Sequence, residues 1–532
     1  MRAAEDRARP PLTTSHWPAD TSEPLLQTTV GGVLRDAAAD RGGAPGLVEA
    51  FPGRPRRRWT FGQLLEEAER AAAAIAARFR PGERVAIWAP NRPEWLFAQF
   101  GASMAGVVVV ALDPAAGTER LRRVLSQTRA AGLFTVGDER MRASVEAARE
   151  RLPGLREVVR LDDWEAFTAG ARPVDQPDVG AGDACRIQYT LGTTGEPKPV
   201  LLHHRAWTNN ARFIASALGA GEGEGWINPL PYFHVSGFGP STLAALQARA
   251  TQVLCPYDAP LILDLIQTER AGILSVPPTM LTELLEHPDL ARYDVSPLRV
   301  VSCGGMSFSA ELARRVGDRL GARFTMAYGQ TESCGIVHKI RSDETEAKPG
   351  TVGRALPQVE TRVVDPGGRT VEIGHVGEIC VRADQVMLGY LDLPDATAEK
   401  LDADGWLRMG DLGSLDPDGC FRMVGRREEL ILHGGELVFP REIEEVLLEH
   451  PAVADAAVVG VPNGAEGEEI AAVVVPAGSA AGPAGPELAA HCAERLPASR
   501  VPSRWASVER FPLTPLGKVQ KFVLRERLAA TG

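Results

Sequence analysis

The strongest constraint on the fold is a stretch in which a strand, a helix and a second strand follow one another. Arg84 to Ala89 is strand-like, the turn from Pro90 to Pro93 ends it, and Glu94 to Ala105 has helical apolar spacing. Val107 to Leu112 is then continuously apolar, which is typical of a strand buried on both faces. We therefore expect a parallel sheet covered by helices, which is an α/β architecture.

The same apolar pattern recurs later in the chain and then gives way to other patterns. Leu263 to Leu285 and Leu298 to Gly305 repeat it. Short runs between Arg354 and Arg422 alternate with Gly and Asp-Pro turns, which predicts a small β-barrel or an antiparallel subdomain. From Gly425 onward, a helix near Arg441 to Glu449, two strands and two further helices predict a compact α+β unit.

The chain has 532 residues, which is more than one ordinary core holds. We predict an α/β fold in which a large N-terminal domain, residues 1–424, contains parallel αβ subdomains and a small β-barrel. A smaller α+β C-terminal domain follows over residues 425–532. The first twenty-odd residues are charged and rich in proline, and we expect them to be a poorly ordered lead-in.

Charge and composition exclude several classes of protein. The net charge of -11 argues against a nucleic-acid backbone as the main partner. No window reaches 18 apolar residues and the N-terminus lacks the apolar stretch of a signal peptide, so we expect no membrane span and a cytoplasmic location. The seven cysteines are scattered without CxxC spacing, which predicts buried, reduced thiols.

Lysine is rare in this chain, although arginine is abundant. Of the 58 cationic residues only six are lysine, namely Lys198, Lys339, Lys348, Lys400, Lys518 and Lys521. A lysine that persists in such a background is a candidate for a role that arginine cannot fill. Lys198 lies in the segment from Tyr189 to Pro199 and Lys518 ends the segment from Pro512, and both segments are candidate motifs. We expect the other four lysines to be surface charges.

The first motif, from Tyr189 to Pro199, reads YTLGTTGEPKP and follows the strand-like run from Ala184 to Gln188. Its glycines let backbone N–H groups approach an anion, while threonine hydroxyls and a lysine add donors and positive charge. The residues concerned are Thr190, Gly192, Thr193, Thr194, Gly195 and Lys198. The loop lacks Walker A spacing. The pattern favours phosphate binding, and the alternative is an ordinary Thr/Gly-rich turn.

Four weaker motifs follow at longer intervals. The run from Ala327 to Glu332, AYGQTE, offers a flat aromatic face and a carboxylate for a phosphate-bound cation, and its alternative is a strand end with a satisfied polar turn. Asp411 lies between glycines, where it can accept hydrogen bonds from vicinal hydroxyls or act as a turn residue. Taken alone, the segment from Gly425 to Glu444 indicates a charged turn into a helix. The segment from Pro512 to Lys518, taken alone, indicates a surface lysine.

In their common order, these motifs resemble those of the adenylate-forming superfamily, which comprises acyl-CoA synthetases, adenylation domains of peptide synthetases and luciferases. The resemblance runs from about residue 30 to the end of the chain and is closest to acyl- or aryl-CoA ligases. It implies ATP, Mg²⁺ and CoA as cofactors, a small-molecule acid as substrate and a mobile C-terminal domain, and it leaves a homodimer open.

The resemblance also implies a role for each motif. The loop from Thr190 to Lys198 would hold the β- and γ-phosphates of ATP. Catalytic roles fall on Lys518, Thr331, Glu332 and His234, where Glu332 would hold Mg²⁺ and Lys518 would bridge the acid and the α-phosphate. The rest of the nucleotide and acyl site would be formed by Gly304, Gly305, Met306, Tyr328, Gly329, Asp411 and Arg426, with Tyr328 stacked on adenine. A packed core histidine is the alternative for His234.

Some positions depart from the family pattern and keep other functions open. Leu191 replaces a hydroxyl residue and Pro199 a glycine in the phosphate loop, Leu437 replaces Asn or Gln near the thiol tunnel, and Glu428 occupies the hinge position. The predicted function is an ATP-dependent acid–thiol ligase that makes acyl-AMP, releases pyrophosphate and transfers the acyl group to CoA. The alternatives are an adenylate-forming ligase with an amine or carrier protein as acceptor, one that activates an unusual acid such as nitrite, and a non-catalytic nucleotide-binding regulator.

Overall fold

The computed structural model describes residues 11–149, 151–171, 177–190, 197–305, 310–343, 348, 350–463, 467–478, 485–514 and 517–530. The first strands are β1 (His16–Trp17), β2 (Pro45–Glu49), β3 (Arg57–Thr60), β4 (Arg84–Trp88), β5 (Val108–Leu112), β6 (Gly132–Thr135), β7 (Glu157–Arg160), β8 (Ala184–Tyr189) and β9 (Pro199–His203). The next are β10 (Gly225–Asn228), β11 (Thr251–Leu254), β12 (Ala271–Ser275), β13 (Val300–Gly304), β14 (Arg323–Gln330), β15 (Gly335–Lys339), β16 (Arg354–Ala355), β17 (Glu360–Val364) and β18 (Gly377–Arg382). The last are β19 (Gly389–Tyr390), β20 (Trp406–Leu415), β21 (Phe421–Arg426), β22 (Ile431–His433), β23 (Glu436–Val438), β24 (Val453–Pro462), β25 (Glu468–Pro476) and β26 (Arg504–Ser507).

The helices between these strands are mostly two to four turns long. The first eight are α1 (Val30–Arg41), α2 (Phe61–Ala76), α3 (Pro93–Met104), α4 (Thr118–Thr128), α5 (Glu139–Arg149), α6 (Trp164–Thr168), α7 (His204–Ala217) and the single turn α8 (Val235–Gly237). The second eight are α9 (Ala244–Gln247), α10 (Ala259–Thr268), α11 (Pro278–Glu286), α12 (Ala310–Leu320), α13 (Pro394–Lys400), α14 (Pro440–Leu448), α15 (Gly485–Ala493) and α16 (Lys521–Ala530). A π-helical stretch, Phe238–Leu243, joins α8 to α9.

Two large sheets form the framework, and both are mainly parallel in their centres. One has the strand order β19-β9-β8-β5-β4-β6-β7 and the other β16-β15-β14-β13-β12-β10-β11-β2-β3. The predicted unit is confirmed, because β4 and β5 pair in parallel and α3 connects them. Every residue of α3 is buried, as expected for a helix packed on several sides, and one apolar core includes residues of both sheets.

The region predicted to be a small β-barrel or antiparallel subdomain forms a five-stranded antiparallel sheet in the order β1-β17-β18-β20-β21. Its first strand corrects the expectation that the N-terminus is a poorly ordered lead-in. Residues 11–20 pack on this sheet, and the Leu12 N–H donates to the Pro417 carbonyl at 2.9 Å. The β1 strand covers the otherwise open edge of β17, and the Trp17 ring lies against Gly419, where any side chain would collide with it. Residues 1–10 lie outside the described part.

The chain after β21 builds a smaller α+β unit, as predicted. Strands β24, β25 and β26 form one sheet and β22 and β23 form a hairpin, while α14, α15 and α16 pack on the sheet around cores of their own. Gly434 and Gly435 form the two-residue turn of this hairpin, and both have positive φ, which favours glycine. The division after residue 424 stays a prediction.

Two further expectations can be compared with the described residues. All seven cysteines are buried and free, as predicted. None of the helices in the described ranges is long and apolar enough to cross a bilayer.

Candidate active site

One cavity of about 400 Å³ collects most of the predicted site residues that the structure describes. It lies where the carboxyl ends of β8, β12, β13 and β14 approach β20, β21 and the segment before α16, as expected for an open α/β sheet. The predicted site residues that line it are Thr190, Lys198, His234, Gly304, Gly305, Gly329, Thr331, Glu332, Asp411, Arg426 and Lys518. Gly192, Thr193, Thr194, Gly195 and Met306 lie outside the described residues.

The two ends of the predicted phosphate loop meet at the cavity. The Thr190 N–H donates to the Lys198 carbonyl at 3.0 Å, and the Lys198 N–H donates to Thr190 Oγ1 at 3.0 Å. These bonds join the two ends of the loop at the point where β8 ends and its antiparallel partner β9 begins. The Lys198 Nζ lies 5.2 Å from the centre of the Tyr390 ring, so this cation and this ring stand at the same end of the cavity.

Glu332 is held at the same end by the turn between β14 and β15. Its side chain is buried, and Oε1 accepts a hydrogen bond from the Tyr390 hydroxyl at 2.7 Å. Its carbonyl accepts from the Met387 N–H at 2.8 Å. Burial and the neighbouring Glu332 raise the pKa of Tyr390, so this hydroxyl stays a donor. Within the described residues no group of three or more His, Cys, Asp or Glu could hold a metal ion. A single carboxylate still fits Mg²⁺, which is usually bound by one or two carboxylates together with substrate phosphates.

Asp411 lies in strand β20 and not in a turn, and its carboxylate is nearly fully enclosed. Its Oδ2 accepts from the Tyr328 hydroxyl at 2.6 Å and from Gln330 Nε2 at 2.7 Å. Arg426, its cross-strand partner in β21, brings Nε to 3.4 Å from Oδ1. These contacts hold the carboxylate in one orientation, and its oxygens are acceptors that suit the two hydroxyls of a vicinal diol.

Tyr328 stands behind the cavity wall and not on it. Its ring packs against Phe421 and His338, with centroids 5.5 Å and 6.0 Å away, and its hydroxyl is occupied by Asp411. Burial, and secondarily Asp411, raise the pKa of Tyr328. The backbone of its neighbour Gly329 lines the cavity. Stacking of Tyr328 on adenine stays a prediction.

Lys518 reaches the cavity from the C-terminal unit. Its Cε lies 3.8 Å from the point where a side chain on Gly305 would begin. Burial, and secondarily Arg426, lower the pKa of Lys518 to about 8, while Asp411 and Glu429 oppose the shift. The lysine is therefore a poorly solvated cation that an incoming anion would stabilise.

His234 begins the short turn α8 beside the same cavity. Its Nδ1 accepts from the Ser236 N–H at 3.2 Å, which leaves the hydrogen of the neutral ring on Nε2. Burial lowers the pKa of His234 to about 3, and Lys518 and Arg186 act in the same direction. The ring is a neutral donor at physiological pH.

Sequence reasoning missed several residues of this site and misplaced some lysines. Tyr390 and Gln330, which orient the two carboxylates, carry no signal of their own in the sequence. Lys339, expected on the surface, is fully buried. Lys400 lines the cavity and donates to the Met409 carbonyl at 3.0 Å. Lys521 is largely covered between Glu429 and Glu444, at 3.0 Å and 2.8 Å. Lys348 is partly exposed at the surface, as expected, and forms an ion pair with Asp416.

Comparison with known proteins defines the class. The AMP-binding enzyme family matches residues 34–391, and the AMP-binding enzyme C-terminal domain matches residues 442–518. The chain therefore belongs to the AMP-binding enzyme family, the adenylate-forming superfamily that its motifs resemble, and it is an ATP-dependent ligase.

Individual relatives cover nearly the whole chain. The putative acyl-CoA synthetase YngI of Bacillus subtilis is 32% identical over 94% of this chain and 97% of its own. Feruloyl-CoA synthase of an Amycolatopsis species is 35% identical over 88% of this chain and 94% of its own. Among solved structures, ATP-bound MatB of Rhodopseudomonas palustris superimposes with a TM-score of 0.87 at 28% identity, over 95% of this chain and all of that one.

Proposed function

We propose that this enzyme is an acid–thiol ligase that converts a carboxylic acid and ATP into acyl-AMP and pyrophosphate and then transfers the acyl group to CoA. The observation that carries the proposal is the position of Lys518, which enters from the C-terminal unit into a cavity already lined by Glu332, Asp411 and Arg426. The names of the relatives support the acceptor, because they describe acyl-CoA synthetases and CoA ligases of differing acids.

The first half-reaction brings two anions together. A carboxylate oxygen attacks the α-phosphorus of ATP, the bond to the β-phosphate breaks, and pyrophosphate leaves. Lys518 would contact both the carboxylate and the α-phosphate and offset their repulsion, most strongly as charge develops in the transition state. Asp411 would accept from the ribose hydroxyls, and Thr190 and Lys198 would bind the terminal phosphates with the loop between them.

Glu332 is the residue proposed to hold Mg²⁺, and Thr331 beside it would contact the α-phosphate. The metal supplies charge neutralisation on the phosphates when it is bound. The Tyr390 hydroxyl, at 2.7 Å from Glu332 Oε1, would fix the orientation of that carboxylate. His234 would donate its Nε2–H to an oxygen of the acid near the reacting carboxylate.

In the second half-reaction, the CoA thiol attacks the acyl carbon and AMP leaves. The proposed division of the chain after residue 424 would let the C-terminal domain turn about Glu428, removing Lys518 and bringing in the β22–β23 hairpin, whose turn carries His433, Gly434 and Gly435. Leu437 on this hairpin is 57% exposed, so it is available to a partner in another arrangement. A cytoplasmic location stays a prediction, and so does a homodimer.

The decisive experiment separates the two half-reactions. We expect Lys518→Ala to abolish acid-dependent exchange between ATP and pyrophosphate while thiolysis of supplied acyl-AMP by CoA continues. Lys348→Ala is the matched control, because Lys348 forms its ion pairs away from the cavity. Wild-type exchange by Lys518→Ala would overturn the assignment of Lys518.

The acid and the acceptor can be tested together. Pyrophosphate release is measured with aromatic, short, medium and long acids and with nitrite, each with and without CoA. Formation of an acyl-CoA with any acid supports the proposal. ATP binding without pyrophosphate release for every acid would instead indicate a regulator, and release without thioester formation would indicate another acceptor.

A further inference from the structure

Lys339 is a buried lysine behind Ser302 of the cavity wall, and the part of the chain that the structure describes gives it no acidic partner. It is 1% exposed in β15, and its Nζ donates to Ser302 Oγ at 3.0 Å and to Thr325 Oγ1 at 3.3 Å. Both acceptors are neutral hydroxyls, and within the described ranges no carboxylate forms an ion pair with this ammonium. Burial lowers the pKa of Lys339 to about 7, which agrees with a charge that lacks compensation.

Such a lysine is not explained by stability. A charge enclosed without a counter-charge is unfavourable, and an apolar side chain of similar length would be at least as stable there. The position is also close to chemistry, since Ser302 lines the cavity that contains Lys518. These two facts point to an anion that is absent from the protein itself.

Two serine hydroxyls of the cavity wall are prepared as donors, and one of them, Ser302, is bonded to this lysine. Ser302 Oγ accepts from Lys339, and Ser275 Oγ accepts from Trp226 Nε1 at 2.9 Å. Neither hydroxyl donates to an acceptor in the described part of the chain. Because their oxygens are occupied from inside, both hydrogens are free to turn to the cavity that Ser275 and Ser302 line.

The strand register places the two serines side by side on the face that bears the reaction centre. Ser275 pairs with Ser302 across β12 and β13, and Gly304 follows two residues later on the same face of β13. Since a strand rises about 3.3 Å per residue, the serines lie roughly 7 Å deeper than Gly304. Gly304 adjoins Gly305, where an added Cβ would lie 3.8 Å from Lys518 Cε.

We infer that the acid carries a second carboxylate, which the hydroxyls of Ser275 and Ser302 bind while Lys339 behind Ser302 provides the counter-charge. The inference rests on the proposed function and names its substrate class, a dicarboxylic acid activated at the end near Lys518. Lys339 is then a residue that determines specificity without touching the reacting atoms.

The test compares matched acids. Saturated α,ω-dicarboxylic acids and monocarboxylic acids of equal carbon number, from four to ten carbons, are assayed for pyrophosphate release with ATP and CoA. We expect wild type to prefer the diacid by at least about tenfold in kcat/KM at its best length, because a monoacid leaves buried donors unpaired. Lys339→Met should remove this preference, Ser302→Ala should reduce it, and Lys348→Met on the surface should leave it unchanged.

Stability is measured on the same variants. Lys339→Met should melt at the wild-type temperature or above it, which separates loss of specificity from loss of fold. If the wild type has equal kcat/KM for monoacids and diacids, the inference is overturned but the ligase proposal stands. The same holds if Lys339→Met keeps the preference for diacids. The absence of pyrophosphate release with every acid would instead overturn the proposed function and the inference with it.

Discussion

Lys518 shows how the surroundings of one side chain set the pH range of a reaction. Its ammonium faces the cation Arg426, the carboxylates of Asp411 and Glu429, and the neutral ring of His234. Burial lowers its pKa to about 8, so the free enzyme loses this proton as the pH rises through that value. If the cation is required, kcat/KM for the acid must fall above pH 8.

A substitution tests this dependence directly. In Lys518→Arg the guanidinium keeps its proton throughout this range. With a monocarboxylic acid, for which the charge of Lys339 is not needed, we expect lower activity than wild type but no fall in kcat/KM between pH 8 and 9.5. At saturating substrate the wild-type fall should move to higher pH, because bound phosphates stabilise the ammonium. Pyrophosphate release across pH 6.5–9.5 measures both effects, and parallel profiles for the two proteins would contradict them.

The other lysines show what single residues can and cannot reveal before folding. Lys198 and Lys518 were found because each lies in a motif in a chain that otherwise uses arginine. Lys339 lies in the apolar run from Gly335, and nothing in the local sequence distinguishes it from a surface lysine of an edge strand. Its burial depends on β16, which covers the open side of β15. It also depends on the hydroxyls of Thr325 and Ser302, which lie 14 and 37 residues earlier in the chain.

The pairing of β14 with β15 depends on a glycine that no side chain can replace. Gly329 and Gln330 end β14, and Thr331 and Glu332 follow in the turn to β15. The hairpin therefore positions the Glu332 carboxylate, which is proposed to bind the metal. A Cβ on Gly329 would lie 1.8 Å from the Gly335 carbonyl oxygen and 2.9 Å from the Ile336 Cα. Both are backbone atoms, which cannot rotate away.

We therefore expect Gly329→Ala to separate the two strands locally. The midpoint of urea unfolding should fall, and ATP affinity measured by calorimetry should fall at least about tenfold, because Gln330 and Tyr328 would no longer hold Asp411. Gly317→Ala is the matched control in α12, where a Cβ meets no atom within 4 Å. That change should stabilise the protein slightly, by about 0.5–1 kcal/mol. Equal midpoints for the two variants would contradict the expectation.

Elements were predictable where their pattern is local. The strand–helix–strand unit and the helices α14 and α16 follow from apolar spacing within a dozen residues. The strand β1 was not predictable in this way, because its two residues pair with Arg362 and Thr361, more than 340 positions later. A two-residue edge strand has no periodicity to detect, and its stability comes from Trp17 packing on Gly419.

At the scale of the whole molecule, the C-terminal unit approaches helix α11 of the large N-terminal region close to the reaction centre. Gly517, which precedes Lys518, has a positive φ and approaches α11, where its hypothetical Cβ lies 3.7 Å from the Thr279 Cβ. The sequence predicted a separate unit and a lysine near its end. The contact with α11 was not predictable, because it depends on how two units with separate cores pack together.

This contact allows the proposed domain movement to be blocked. The Cβ separation of 3.7 Å between positions 279 and 517 lies within the range of a disulfide. The double variant Thr279→Cys with Gly517→Cys should therefore form one on oxidation, at some cost in stability because Gly517 has a positive φ. The native cysteines are all buried, which limits competing cross-links. If the domain must turn between half-reactions, the oxidised enzyme should still exchange ATP and pyrophosphate but form acyl-CoA at least about tenfold more slowly than the same protein after reduction.

The two single-cysteine variants serve as controls and should respond to neither oxidant nor reductant. Equal rates of thioester formation in the oxidised and reduced double variant would show that Lys518 can remain in place throughout the reaction.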